Sequence, residues 1–165
     1  AFMCGNHGDP IYHHDLHGLI SEIRHQNNMI RIGINTNGSY RSWQWWTQLA
    51  NVMTCPRDRI NFSIDGLPEN NHQYRKNSDW QSIEVGIKTL KRENPKLELC
   101  WKWIVFRYNE HDIRQGMRLA KELGFNRFNV VWSDRYRADD EFTPLRSRDD
   151  IESEVMECQK FFQDA

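Results

Sequence analysis

Short apolar segments rich in Ile, Val and Phe alternate along this chain with longer segments whose apolar residues recur at helical spacing. The alternation repeats after roughly 30 residues, which is the length of one βα unit. This pattern predicts an α/β protein with a parallel sheet, because each helix carries the chain back to the end of the sheet where the next strand begins. No linker rich in Gly or Ser interrupts the series, so we expect one domain within the 165 residues.

The pattern predicts five strands, at about 2–4, 30–35, 59–64, 97–106 and 127–132. It predicts helices that begin near residue 15 and lie near 42–52, 80–93, 110–123 and 151–162. Asp15 and Ser42 are typical helix N-caps. We expect Asn109 to cap the fourth helix and Gly124 to end it.

Polar turn sequences follow the first three predicted strands: Gly8-Asp9-Pro10, Asn35-Thr36-Asn37-Gly38 and Ser63-Ile64-Asp65-Gly66. The carboxyl ends of parallel strands meet at one rim of the sheet, where α/β proteins bind ligands. The two-residue period of a strand also places Asn61, Ser63 and Asp65 on one face. Each turn alone is ordinary turn chemistry. Three of them at one rim indicate a polar ligand or a water-filled barrel mouth, since burying such groups without partners is costly.

Taken in order, GDP at the first strand, TNG at the second, SIDG at the third with His72 and Arg75 after it, and Asn109-Glu110 after the fourth resemble the radical S-adenosylmethionine superfamily. The resemblance covers about residues 2–132. In that family a partial barrel of six βα units holds a [4Fe-4S] cluster, ligated by three cysteines in CxxxCxxC spacing. The cluster binds S-adenosylmethionine, whose reductive cleavage gives a 5′-deoxyadenosyl radical that abstracts hydrogen from a substrate.

The resemblance implies a partial (β/α)6 TIM-like barrel of parallel strands, of which this chain has about five βα units. We expect the barrel to occupy residues 1–135, with a C-terminal loop and helix extension at 136–165. The chain begins at what would be the second strand of the family, and CxxxCxxC is absent. We therefore expect a fragment that lacks the first βα unit, with the cluster ligands outside this chain and with no activity of its own.

The cofactor-binding residues implied by the resemblance are Gly8, Asp9, Pro10, Thr36, Asn37, Ser63, Asp65, Arg75 and Val105. Gly8-Asp9-Pro10 corresponds to the Gly-Glu-Pro motif that receives the cofactor's ammonium, with Asp in place of Glu. Ser63 and Asp65 match positions that bind the ribose hydroxyls and the methionine carboxylate, and Arg75 is similar to an arginine that pairs with that carboxylate. Thr36-Asn37 ends the family's third strand, and Val105 corresponds to an apolar wall beside adenine. No catalytic residue or metal ligand is assigned within the chain.

The same resemblance implies S-adenosylmethionine, a [4Fe-4S] cluster and an external electron donor as partners, with a peptide or protein as the closest substrate class. A net charge of -1 and a pI near 6.7 argue against a nucleic-acid partner. No apolar run approaches the ~20 residues that span a bilayer, so we expect no membrane association and a cytoplasmic location.

Two other functions stay open at this point. One is a non-catalytic α/β module that binds a nucleotide or a peptide at the same rim. The other is a metal-dependent hydrolase built on His7, Asp9 and the neighbouring histidines, of which His13 and His17 would share a helix face at i,i+4. The Glu of an HExxH zinc motif is absent from this segment. The cysteines Cys4, Cys55, Cys100 and Cys158 are scattered and encode no metal site by their spacing.

Overall fold

The computed structural model describes residues 1–3, 8–134, 136–137 and 140–163, apart from the side chains of Phe2 and of residues 161–163. Within these residues the strands are β1 (Phe2–Met3), β2 (Gly33–Thr36), β3 (Arg59–Ser63), β4 (Glu98–Ile104) and β5 (Arg127–Val131). Over the same ranges the helices are α1 (Leu16–Gln26), α2 (Trp43–Val52), α3 (Trp80–Glu93), α4 (Ile113–Glu122) and α5 (Arg148–Gln163). Short 3₁₀ turns lie at Pro10–Tyr12 and Asn71–Gln73.

The five strands are parallel and pair in sequence order, β1-β2-β3-β4-β5, to form an unclosed sheet in the described part of the chain. A parallel sheet whose strands follow one another in this way is part of a βα barrel, because each helix connects neighbouring strands on the same side. The predicted fold class, a partial TIM-like barrel with about five βα units, is confirmed.

One face of the sheet packs against the helices and forms the hydrophobic core. Phe62 on β3 is fully buried, and its ring centroid lies 5.8 Å from that of Trp46 on α2 and 5.7 Å from that of Phe125. Trp101 and Trp103 on β4 are also fully buried. Alternate residues along each strand therefore supply one continuous apolar layer.

The opposite face of the sheet is polar, and its residues lie side by side in the strand register. Asn61 pairs with Asn35 on β2, and its side-chain Nδ2 donates to the side-chain Oδ1 of Asn35 at 2.6 Å. Ser63 pairs with Lys102 on β4, which pairs in turn with Asn129 on β5. We call these five residues the open face. The two-residue period of β3 predicted that Asn61 and Ser63 lie on the face of the sheet opposite to Phe62.

The predicted helix ends at Asp15, Ser42 and Gly124 are confirmed. The Asp15 carboxylate accepts from the Gly18 N–H at 3.0 Å, and the Ser42 hydroxyl accepts from the Trp45 N–H at 3.4 Å. Gly124 has φ +84° after α4, a backbone conformation that favours glycine. These side chains and this glycine satisfy the unpaired backbone groups that every helix terminus leaves.

Two predictions near helix starts are wrong. α4 begins at Ile113 with Asp112 in the N-cap position, so Asn109 does not cap it. The Asn109 side chain instead binds backbone groups in the loop after β4. His13 follows the 3₁₀ turn and precedes α1, so His13 and His17 do not share a helix face.

The C-terminal helix α5 packs against α4. Ile151 is fully buried, and Cys158 is 5% exposed within the same hydrophobic cluster. The buried Glu110 carboxylate accepts from the backbone N–H groups of Leu145 and Arg146, at 2.8 and 2.9 Å, which anchors the segment before α5. Among the described helices none has the length and apolar character to cross a membrane.

Candidate functional site

A cavity of about 560 Å³ lies at the carboxyl ends of the strands. Its volume falls in the range of about 300–1,000 Å³ that is typical of small-molecule sites. It is lined by Gly8, Asp9, Asn35, Thr36, Asn37, Ser63, Tyr74, Arg75, Lys102, Ile104, Val131, Trp132, Ser133 and Asp134. Every strand end from β2 to β5 contributes, as the parallel topology requires.

The Asp9 carboxylate joins the turn after β1 to the end of β2. Its Oδ1 accepts from the Ile11 N–H at 3.1 Å and so caps the 3₁₀ turn. Its Oδ2 accepts from the Thr36 hydroxyl at 2.9 Å and from the Asn37 N–H at 2.6 Å. The Asp9 carboxylate therefore braces the turn after β1 against the end of β2.

The end of β2 is held by one hydroxyl and one glycine. Thr36 is 2% exposed, and its hydroxyl donates to Asp9 while accepting from the Gly38 N–H at 2.9 Å. Gly38 has φ +77°, and a Cβ placed on it would lie 2.7 Å from the Phe62 ring. Only glycine satisfies both the left-handed backbone and the close approach of the aromatic core.

Asp65 is fully buried directly after β3 and fixes two neighbours. Its Oδ2 accepts from Arg75 Nε at 2.6 Å, and its Oδ1 accepts from the Ile104 N–H at 2.8 Å. Burial raises the pKa of the Asp65 carboxyl, and Arg75 and the Ile104 N–H oppose that rise. Asp65 thus ties the end of β4 to the loop that carries Arg75.

The backbone carbonyl of Asp65 binds the loop after β4. It accepts from the Tyr108 hydroxyl at 2.5 Å and from Asn109 Nδ2 at 2.7 Å. Burial raises the pKa of the Tyr108 hydroxyl, and the Asp65 carboxylate raises it further, so this hydroxyl stays a donor. Asn109 also donates to the Ile104 carbonyl at 2.9 Å and accepts from the Phe106 N–H at 2.7 Å. The Asn109 side-chain amide therefore connects the loop after β4 to Asp65 and to the end of β4.

The structure brings six of the nine predicted site residues to the cavity wall: Gly8, Asp9, Thr36, Asn37, Ser63 and Arg75. Pro10 is the first residue of the 3₁₀ turn, and Asp65 lies behind Arg75. Val105 is fully buried in the core, where its N–H donates to the Val131 carbonyl at 3.1 Å. The neighbouring residue Ile104 lines the cavity instead.

The residues that the sequence did not single out come mainly from β4 and the end of β5: Tyr74, Lys102, Ile104, Val131, Trp132, Ser133 and Asp134. Lys102 and Ile104 are two positions apart and therefore point to the same face of β4. Knowledge of the strand register would have identified Lys102 and Ile104, because Ser63 pairs with Lys102. Paired residues of neighbouring strands point to the same face of the sheet, so Lys102 lies on the same polar face as Ser63.

The described residues contain no group of three or more His, Cys, Asp and Glu side chains that could hold a metal ion. The His13 and His14 rings stack with centroids 4.5 Å apart, and His17 packs 4.7 Å from the Trp45 ring. Cys55, Cys100 and Cys158 are buried free thiols. Two residues of the sequence-based hypotheses, Cys4 and His7, lie outside the described residues.

No protein-family model and no curated protein sequence matches the chain. Among solved structures, the chain is similar to Streptococcus suis SuiB, also in its form bound to S-adenosylmethionine, with a TM-score of 0.67 and 13% identity. It is similar to TYW1 with a lysine-pyruvate adduct bound, with a TM-score of 0.57 and 20% identity. The alignments cover 95% and 94% of this chain.

The chain spans 34% of the length of SuiB and 47% of that of TYW1. At these identities the likeness concerns the fold, and it extends over nearly all of the present chain. The order of the strands and the cavity at their carboxyl ends agree with the partial barrel that the motifs implied. The chain therefore has the fold of the aligned parts of SuiB and TYW1.

Proposed function

We propose that this chain is the S-adenosylmethionine-binding portion of a radical S-adenosylmethionine enzyme and that the cofactor binds in the cavity at the strand ends. The observation that carries the proposal is the convergence of the GDP, TNG and SIDG motifs on that one cavity, through Asp9, Asn37 and Ser63. The S-adenosylmethionine-bound structure of SuiB, which has the same fold, supports it.

The charges on the cavity wall fit the groups of S-adenosylmethionine. The cofactor has an ammonium and a carboxylate at one end and ribose hydroxyls at the other. The Asp9 carboxylate lies on the β1–β2 side, and the Arg75 guanidinium lies in the loop after β3. An ammonium near Asp9 and a carboxylate near Arg75 would each meet the opposite charge. The Ser63 hydroxyl, on the wall beside them, would bind the ribose.

The described residues do not fit a [4Fe-4S] cluster. Such clusters are held by cysteine thiolates that reach one metal centre together. Cys55, Cys100 and Cys158 are buried in a loop, in β4 and in α5, and no metal-binding group occurs among the described residues. The proposal therefore places the cluster ligands outside these residues and derives no step through the cluster. What the chain itself would do is bind and orient the cofactor and exclude water from it.

Equilibrium dialysis of the 165-residue chain against labelled S-adenosylmethionine tests the proposal. We expect saturable binding at one site, and we expect Ser63→Ala to weaken it by about fivefold because one hydrogen bond contributes ~1 kcal/mol. Ser153→Ala, on the exposed side of α5, is the matched control and should leave the affinity unchanged.

Three outcomes of the dialysis would count against the proposal. The first is the absence of saturable binding by the unmodified chain. The second is equal binding by the Ser63→Ala and unmodified chains. The third is tighter binding of adenosine triphosphate or of an unmodified peptide, which would favour the non-catalytic binding module. The proposal extends to a peptide or protein substrate and an external electron donor, and both follow from the family resemblance.

A further inference from the structure

Lys102 is a cation on the open face that the proposed cofactor site does not use. It lies in β4 between Trp101 and Trp103, which point into the core, and its own side chain lines the cavity. Its ammonium forms no hydrogen bond or ion pair with any residue that the structure describes. Lysine is disfavoured in strands. A lysine on the inner wall of a barrel therefore calls for a partner.

None of the described carboxylates near the cavity forms an ion pair with Lys102. Asp9 accepts three hydrogen bonds at the ends of β1 and β2. Asp65 is buried behind Arg75, which neutralises it. Asp134 is exposed beyond the end of β5 and forms no ion pair with Lys102. Lys102 therefore has no ion-pair partner among the described residues, and its ammonium is available to an anionic ligand group.

The depth of Lys102 separates it from Arg75. Arg75 lies in the loop after β3, above the strand ends, whereas Lys102 lies within β4 in register with Ser63 and Asn129. S-adenosylmethionine has a single carboxylate, which the proposed function assigns to Arg75. Lys102 is therefore left for a second anion, at the level of the open face.

We infer that Lys102 is a substrate-binding residue that recognises a carboxylate of the substrate, with Asn129, its partner in the strand register, as a neighbouring hydrogen-bonding group. This inference rests on the proposed function, since it takes the strand-end cavity as the cofactor site. One ammonium beside an amide suits a singly charged carboxylate. An acidic side chain and the C-terminus of a peptide both present this chemistry.

Nuclear magnetic resonance titration of the 165-residue chain, saturated with S-adenosylmethionine, tests the inference. The probes are Ac-Gly-Glu-Gly-NH2, Ac-Gly-Gln-Gly-NH2 and Ac-Gly-Gln-Gly with a free C-terminus. We expect one of the two carboxylate-bearing peptides to bind about tenfold more tightly than the neutral one, as a charge-assisted hydrogen bond would produce. Whichever binds more tightly identifies the carboxylate source.

Three variants make the titration specific. Lys102→Gln should abolish the preference for the carboxylate. Lys102→Arg, which keeps the charge, should retain the preference. Lys96→Gln, at an exposed position before β4, should behave as the unmodified chain.

The outcomes separate this inference from the proposed function. Equal affinity of the unmodified chain for all three peptides would overturn the inference, and so would a preference that survives Lys102→Gln. A loss of S-adenosylmethionine binding in Lys102→Gln as large as the loss of peptide binding would assign Lys102 to the cofactor and overturn the inference alone. A retained carboxylate preference without any S-adenosylmethionine binding would contradict the proposed function and support the carboxylate site.

Discussion

The Arg75 guanidinium is held in place by the fully buried carboxylate of Asp65, with 2.6 Å between Nε and Oδ2. Arg75 lines the cavity at the strand ends. Asp65 itself does not line the cavity, so it acts as a positioning residue for Arg75. The resemblance assigned the Asp65 carboxylate to the cofactor, whereas in the structure this carboxylate is bonded to Arg75 behind the cavity wall.

A double-mutant cycle should show that the two residues are strongly coupled. Asp65→Asn and Arg75→Gln are each expected to lower the free energy of unfolding, and the double variant should lose less than the sum, with a coupling of about 1–3 kcal/mol. Urea unfolding measures all four proteins. Glu84 and Lys88 form an exposed i,i+4 pair on α3, and their cycle should give a coupling below about 0.5 kcal/mol. Equal couplings for the two pairs would show that burial adds nothing to the Asp65–Arg75 contact.

Gly38→Ala should destabilise the protein more than a glycine substitution that meets only backbone strain. The new Cβ would lie 2.7 Å from the Phe62 ring, and the backbone has φ +77°. Strain of about 1–2 kcal/mol and overpacking of about 1–3 kcal/mol should add. Gly124→Ala is the matched control, because it has φ +84° and its Cβ would be 3.6 Å from a flexible Lys91 side chain. A smaller loss of unfolding free energy in Gly38→Ala than in Gly124→Ala would refute the packing argument.

Local signals in the sequence were sufficient where the structure is determined locally. The limits of α3 at Trp80–Glu93 follow from its apolar spacing and from Asn94-Pro95 after it, and they match the prediction. The βα alternation likewise predicted the parallel strands, and the family resemblance predicted their arrangement as part of a barrel. Helix caps, helix-breaking residues and apolar periodicity each depend on only a few neighbouring residues in the sequence.

The predictions that differ from the structure depend on contacts between distant parts of the chain. Asn109 has the chemistry of a helix cap, but its amide binds the Asp65 carbonyl, 44 residues away in sequence. The resemblance assigned Val105 to the apolar wall beside the adenine of the cofactor. The pairing of Lys102 with Ser63 instead places Lys102 and Ile104 on the cavity side of β4, and Val105 lies in the core. Register between strands is not encoded in either strand alone.

Raising the pH above 9 should destabilise the protein through Cys100. Burial raises the pKa of its thiol to about 11, whereas a cysteine in an unfolded chain has a pKa of roughly 8.5. Between these values the native state keeps a proton that the unfolded state has lost, so the free energy of unfolding falls as the pH rises. Urea unfolding at pH 8 to 11 should show a smaller fall for Cys100→Ala than for the unmodified chain. Cys55→Ala, which keeps Cys100, should retain the full fall.

The 165-residue chain should not assemble a [4Fe-4S] cluster by itself. Its described cysteines are buried and lie in separate elements, and the CxxxCxxC sequence is absent. Anaerobic reconstitution with iron and sulfide, followed by absorption and electron paramagnetic resonance spectroscopy, provides the measurement. A stable [4Fe-4S] spectrum together with reductive cleavage of S-adenosylmethionine would contradict this expectation.

Asp9→Ala should open the end of β2 without unfolding the molecule. The substitution removes the acceptor of the Thr36 hydroxyl, which is buried, and of the Asn37 N–H. Each unsatisfied group costs about 1–3 kcal/mol, so amide hydrogen exchange across residues 36–38 should speed up by at least tenfold. Asp15→Ala is the matched control, because it removes the cap of α1 and should accelerate exchange only in the first turn of that helix. Unchanged exchange at Asn37 in Asp9→Ala would show that the carboxylate does not brace the β1–β2 corner.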